Sequence, residues 1–163
     1  MRPNREFLFK HPAHFLALGF GAGLAAKAPG TWGTLVAFPF FFLANFLGGQ
    51  WAVLVAAAIF FVAGIWAADV TGRAIGVSDH GGIVVDEIAA FLLVLAFAPV
   101  SIAGVAVAFL LFRVFDIVKP WPINVADRRI KGGFGVMFDD VLAAIYAIIG
   151  LWFLRNIIEG VNL

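Results

Sequence analysis

The segment Asp79-His80-Gly81-Gly82-Ile83-Val84-Val85-Asp86-Glu87 gathers three carboxylates and a histidine within nine residues, directly ahead of an apolar run. Oxygen ligands at this density suit a hard divalent cation such as magnesium. A carboxylate in the first turn of a helix also complements the helix dipole, but four such groups together exceed what capping asks for. A second segment, Phe112 to Ile123, sets Arg113, Asp116 and Lys119 three residues apart, so a continuous helix would align them as an alternating charged stripe. Such a stripe balances a phosphate or metal pocket. It equally makes a snorkelling ladder at a membrane interface, with Pro120-Trp121-Pro122 ending the helix among headgroups.

A third segment runs from Asp127-Arg128-Arg129 through Lys131-Gly132-Gly133 to Asp139-Asp140, and reads as a basic, glycine-rich loop leading into an acidic helix start. The basic cluster alone attracts anionic lipid; followed by carboxylates, it can hold phosphate and metal together. Neighbouring helical residues diverge by about 100°, so one of Asp139 and Asp140 would ligate while the other orients a neighbour or a water. A fourth segment, Lys27 to Thr34, matches neither the dinucleotide fingerprint nor the Walker loop. It is either a backbone nest in which the Thr31 and Thr34 hydroxyls grip an anion, or a turn that starts a helix. His11 and His14 read as interfacial side chains. The serines, Ser78 and Ser101, lie in no nucleophile elbow, and the chain has no cysteine for disulfide, thiolate-metal or cysteine-phosphatase chemistry.

These side chains need a frame, and the composition dictates which solvent it faces. Of 163 residues, 63% are hydrophobic and only 13% charged, and the mean hydropathy is +1.03. Ordinary soluble domains carry roughly 45–50% apolar residues, so lipid is the expected surroundings. A net charge of +1 without a long basic tract argues against nucleic acid. The basic N-terminus ahead of Phe15 to Ala26 imitates a signal peptide but has no convincing cleavage site, and is expected to be retained.

Apolar runs at Thr34–Leu47 and Trp51–Ala68, separated by Gly48-Gly49-Gln50, predict a tight helical hairpin, with Pro39 tolerated inside its first arm. The run Ile88–Phe112 is broken at Pro99-Val100-Ser101. It is one kinked helix or a second hairpin, and the hairpin is favoured because about 20 residues already cross a bilayer. A last run, Val141–Leu154, extends back toward Gly135. Together these give one domain, residues 1–163: an all-α polytopic membrane bundle with about five transmembrane helices. Ten of the eleven Lys and Arg residues then share one face, Arg155 standing apart, and the positive-inside rule makes that face cytoplasmic. Asp69, Asp79, Asp86, Glu87, Asp116, Asp127, Asp139 and Asp140 fall on the same face, with Glu159 opposite. Nothing in that rule asks acids to follow the bases, so their gathering points to a site.

With these motifs in hand, LALGFGAGLAAKAPGTWGTL, DHGGIVVDE, FRVFDIVKPWPI and DRRIKGGFGVMFDD, in this order over Phe15 to about Gly150, resemble the phosphatidylglycerophosphatase A family. The resemblance implies a bacterial inner-membrane, magnesium-dependent phosphatase that takes the terminal phosphate from phosphatidylglycerophosphate, its active site facing the cytoplasm among membrane lipids. It carries over Asp79, Asp86, Glu87, Asp116, Asp127, Asp139 and Asp140, beside His80, Lys119 and Arg128. The expected metal ligands are the carboxylate pairs Asp86-Glu87 and Asp139-Asp140. Asp79, His80, Asp116 and Asp127 are the expected catalytic groups, and Lys119, Arg128, Arg113 and Thr31 the expected phosphate contacts. Water and an aspartyl side chain both remain open as nucleophile. The rival from another class is a small cation- or proton-coupled transporter using intramembrane carboxylates.

Overall fold

The computed structural model describes the backbone of residues 3–161 and the side chains up to residue 157. The expectations for Arg2 and for the side chain of Glu159 lie outside the described residues. Those described are helical, with no strand among them: α1 Arg5–Lys10, α2 Pro12–Ala17, a 3-10 segment Gly19–Leu24, α3 Pro29–Ile75, α4 Val85–Phe97, α5 Ile102–Val118, α6 Ile123–Arg129 and α7 Gly132–Val161.

The 47 residues of α3 do not form one rod. Gly48 and Gly49 leave helical geometry, and Gly49 takes φ 60°, ψ −150°, a combination that is essentially glycine's alone. The chain reverses there into two arms, residues 29–47 and 50–75. The rings of Phe40 and Phe60 consequently lie 4.7 Å apart, whereas twenty residues of straight helix would separate them by roughly 30 Å. Residues 98–101 reverse the chain again, Ala98 being extended ahead of Pro99 and Ser101 accepting the Gly104 N–H to cap α5. Phe91 then stacks on Phe112 at 5.7 Å, so the run Ile88–Phe112 is a hairpin.

Helix α4 occupies the centre. Ile88, Phe91, Leu92, Val94 and Leu95 are buried on all its faces, as expected of a helix that is apolar all round. It packs against α7 and against both arms of α3. The reversals bring the start of α3, the end of its second arm, the start of α4, the end of α5 and the start of α7 to one end of the bundle. Every described Lys and Arg except Arg155 lies on an element or loop of that end.

Two expectations about this end need correction. The basic stretch at Asp127–Arg129 is helical, part of α6, because Lys119 turns left-handed at φ 44° to end α5 and Pro122 then opens a new short helix. Gly132 is a left-handed turn, φ 77°, and α7 runs on directly from it, so the expected loop shrinks to that turn. Helix α7 begins at Gly132, so Asp139 and Asp140 stand about two turns inside it rather than at its start.

Outside the packed centre the surface is strongly apolar: Phe46, Leu47, Trp51, Val62, Leu110 and Ile117 are all well exposed. A belt of this extent is unfavourable in water and marks contact with a membrane or another apolar phase. Among the described residues, α3 and α7 are each long and apolar enough to cross a membrane.

Candidate functional site

Asp86 and Glu87 occupy the first turn of α4, and Asp140 reaches them from α7. Oxygen atoms of the three carboxylates lie within 4.8 Å of one another. Adjacent helical residues normally point apart, but α4 is enclosed on every side, so both Asp86 and Glu87 end up inside. They are 9% exposed and Asp140 only 3%. Asp86 Oδ1, Glu87 Oε2 and Asp140 Oδ2 are buried without any hydrogen-bond partner.

Buried anions without partners cost several kcal/mol each, and Arg113 stands beside them as a cation. Arg113 Nη1 lies 2.6 Å from Asp116 Oδ2 and 3.7 Å from Glu87 Oε1. It also donates to Thr34 Oγ1 at 3.4 Å, and Thr34 in turn donates to the Gly30 carbonyl at 2.9 Å. The Arg113 guanidinium thus bridges Glu87, at the edge of the triad, to a fourth carboxylate, Asp116. The donors are oxygens only, crowded, and orphaned on their inner side. That set fits a hard divalent cation such as magnesium and is a poor fit to softer metals.

Gly30 makes the crowding feasible. A Cβ there would stand 2.1 Å from Glu87 Oε1 and 3.2 Å from Arg113 Nη2, so any other residue would push the carboxylate out of place. Spacing alone gave no sign of this role, since the PGT turn reads as a helix start whatever faces it.

Asp139 belongs to a neighbouring cluster. It lies about 100° around α7 from Asp140 and pairs with Lys119 Nζ, which also donates to Asp127 Oδ1 at 3.0 Å. Burial disfavours the Lys119 ammonium, but hydrogen bonding and charge attraction from Asp139, and then from Asp127, outweigh it and raise the pKa above the ordinary lysine value. Asp79, Asp127 and Asp139 line one small cleft with Lys131 and Ser78. The expected stripe therefore breaks: Arg113 and Asp116 pair with each other, while the left-handed turn at Lys119 sends its ammonium toward α6 and α7.

The other expected contacts fall as follows. His80 Nδ1 accepts the Gly82 N–H at 3.0 Å and closes the turn ahead of α4. Arg128 is exposed on α6. Thr31 is half-buried in the first turn of α3, and the hydroxyl that meets Arg113 is that of Thr34, one turn further on. His14 is buried rather than interfacial: it hydrogen-bonds Thr71 Oγ1 at 2.9 Å and stacks on Phe7 at 4.1 Å. Burial, and next the charge of His11, lower its pKa. Beside it, the Ala17 carbonyl accepts the Val84 N–H at 2.8 Å, tying α2 to the residues that precede Asp86.

Comparison with known proteins bears on what such a site does. The family model described as phosphatidylglycerophosphatase A matches residues 15–155. A Haemophilus influenzae protein named phosphatidylglycerophosphatase A is 44% identical over 148 residues, covering 90% of this chain and 91% of its own. An Escherichia coli K12 protein of the same name is 40% identical over 147 residues, covering 90% and 85%. A Bacteroides thetaiotaomicron protein, provisionally named a phosphatidylinositol-3-phosphatase, is 38% identical over 141 residues, covering 82% and 87%. No solved structure matches. The matched region contains both carboxylate clusters, Arg113, Lys119 and Gly30, and over that whole length this chain belongs to the phosphatidylglycerophosphatase A family.

Proposed function

We propose that this chain is a magnesium-dependent lipid phosphatase of a bacterial inner membrane, hydrolysing the terminal phosphomonoester of phosphatidylglycerophosphate to phosphatidylglycerol and phosphate. The observation that carries this reading is the triad Asp86, Glu87 and Asp140: three carboxylates within 4.8 Å, buried and holding partnerless oxygens. The names of the two phosphatidylglycerophosphatase A relatives supply the substrate. The transporter alternative finds no support among the relatives.

The topology that goes with it has five crossings, namely the two arms of α3 followed by α4, α5 and α7, with the basic end in the cytoplasm. A diacyl substrate then reaches the site sideways, its headgroup staying at the interface. Asp86, Glu87 and Asp140 would hold magnesium, with Asp139 supporting from the next position. When bound, the ion would supply Lewis acidity toward the phosphoryl oxygens.

The chain's own groups do the rest. Arg113, fixed by Asp116 and Thr34, sets a positive charge beside the carboxylates so that a dianionic phosphomonoester is not repelled. Lys119, held by Asp127 and Asp139, and Arg128 offer further cations to the phosphate oxygens. His80 shapes the turn ahead of Asp86, and Asp79 lines the small cleft with Asp127 and Asp139, the two carboxylates that hold Lys119. Thr31 lies one turn before Thr34, the residue that meets Arg113, and its hydroxyl is offered as a further phosphate contact. Hydrolysis breaks the bond from phosphorus to the glycerol oxygen, which leaves with a proton. Either water attacks phosphorus directly, or an aspartate oxygen does so first and water then cleaves the aspartyl phosphate, restoring the carboxylate and releasing phosphate.

Purified protein in mixed micelles with phosphatidylglycerophosphate, followed by mass spectrometry of the lipid, tests this reading. Phosphatidylglycerol should accumulate with magnesium, at a rate at least tenfold above the Asp140→Asn protein, a gap of about 1.4 kcal/mol in barrier. Equal rates for the two proteins would remove the triad from the chemistry.

A further inference from the structure

An apolar groove runs along the outside of the bundle between the first arm of α3 and helix α5. Leu35, Phe38 and Phe42 form one wall and Ala106, Phe109 and Leu110 the other. Its volume of about 720 Å³ lies within the roughly 300–1,000 Å³ typical of ligand sites. The fully buried Phe91 touches both walls, its ring 5.6 Å from Phe38 and 5.7 Å from Phe109.

The groove has a direction. On a helix, residues four apart share a face, so the face carrying Phe38 continues at Thr34, and that carrying Phe109 continues at Arg113. Thr34 and Arg113 are the two residues whose side chains meet at 3.4 Å beside Glu87. The apolar walls thus lead, within one turn on each helix, to the guanidinium at the edge of the carboxylate triad. Arg113 also keeps a buried Nε–H without a partner. An apolar channel ending at a cation with a spare donor matches an anionic phospholipid: hydrocarbon along the channel, phosphate at its end.

We propose that this groove seats an acyl chain of the phospholipid on which the enzyme acts, so that the lipid slides in from the bilayer between the first arm of α3 and α5 and delivers its headgroup to Arg113. The inference rests on the phosphatase reading for the identity of that lipid. The walls are built on two helices tied together at the site end, so a chain lying between them registers the headgroup along the groove. Ala106 is the narrow side chain at which this can be tested. It is exposed within the groove, and Ala106→Phe fills the channel without disturbing the packed centre. Val107, next on the same helix and also exposed, is not part of the groove wall, so Val107→Phe is the matched control.

The experiment uses phosphatidylglycerol carrying a photoactivatable group on one acyl chain, with a phosphatidylcholine probe of the same chains for comparison, on the intact protein in micelles. The expected result is labelling of groove peptides by the anionic probe in preference to the zwitterionic one, lost in Ala106→Phe and kept in Val107→Phe. Alongside it, kcat/KM for the diacyl substrate should fall about tenfold in Ala106→Phe, as losing the burial of about two methylenes would cause, while the deacylated headgroup ester is hydrolysed as by the unmodified protein. Equal labelling by both probes, or labelling unchanged by Ala106→Phe, would overturn the proposal and leave a general lipid crevice. Labelling does not require turnover, so an unmodified protein that binds the anionic probe but hydrolyses nothing would count against the phosphatase reading and not against the groove.

Discussion

At the scale of single residues, the site depends on how closely side chains are allowed to approach. Gly30 is the sharpest case, because a methyl group there would overlap the Glu87 carboxylate at 2.1 Å. The displaced atom is the end of a flexible side chain, so Gly30→Ala should fold and keep its melting temperature within a few degrees while losing activity about tenfold. Thermal unfolding beside phosphate release separates the two effects, and parallel losses in both would make Gly30 a packing residue only. The two carboxylate pairs were legible in the sequence as candidate ligands. Which member of Asp139-Asp140 turns toward Asp86 was not, because that depends on how α7 packs, and the glycines at positions 132 and 133 look like a loop although the helix starts there, straight after a left-handed turn at Gly132. Gly30 was illegible for a different reason: its role is defined by a residue 57 positions away.

At the scale of elements, the long apolar helices were readable from their runs and the reversals at Gly48-Gly49 and Pro99 from their breakers. The short ones were not, since α1, α2 and α6 span six, six and seven residues, too few for a period to emerge. Helix α2 matters more than its length suggests: through His14–Thr71 and Ala17–Val84 it fastens the second arm of α3 to the residues just ahead of α4. Because burial, and next His11, lower the His14 pKa from 6.5, the folded state binds fewer protons there than the unfolded one. The stabilisation this gives is whole above about pH 6.5 and is lost as pH falls through the folded value. Melting temperatures taken from about pH 7.5 down to about 5.5 should therefore drop more steeply for the unmodified protein than for His14→Gln. Superimposable profiles would show that His14 is protonated without cost.

At the scale of the whole molecule, one end of the bundle collects the acids and nearly all the bases while its flanks stay apolar. That division was legible from composition and from the ten-to-one split of Lys and Arg, because hydropathy and charge act through sums rather than through particular contacts. The chain has no cysteine, so single cysteines report orientation cleanly. Gln50→Cys, at the α3 reversal, should react with an impermeant thiol reagent from outside the cell, and Arg129→Cys only after the membrane is opened; the reverse pattern would invert the topology. The central claim is that the orphaned oxygens of Asp86, Glu87 and Asp140 exist to hold a divalent cation for phosphate release. The direct measurement is inorganic phosphate released from phosphatidylglycerophosphate by purified protein as magnesium is titrated from chelator upward, for the unmodified chain and for Glu87→Gln. Saturable activation from a chelated baseline near zero is expected, with Glu87→Gln at least tenfold slower at saturating magnesium; full turnover in chelator, or an unchanged titration for Glu87→Gln, would take the cation out of the site.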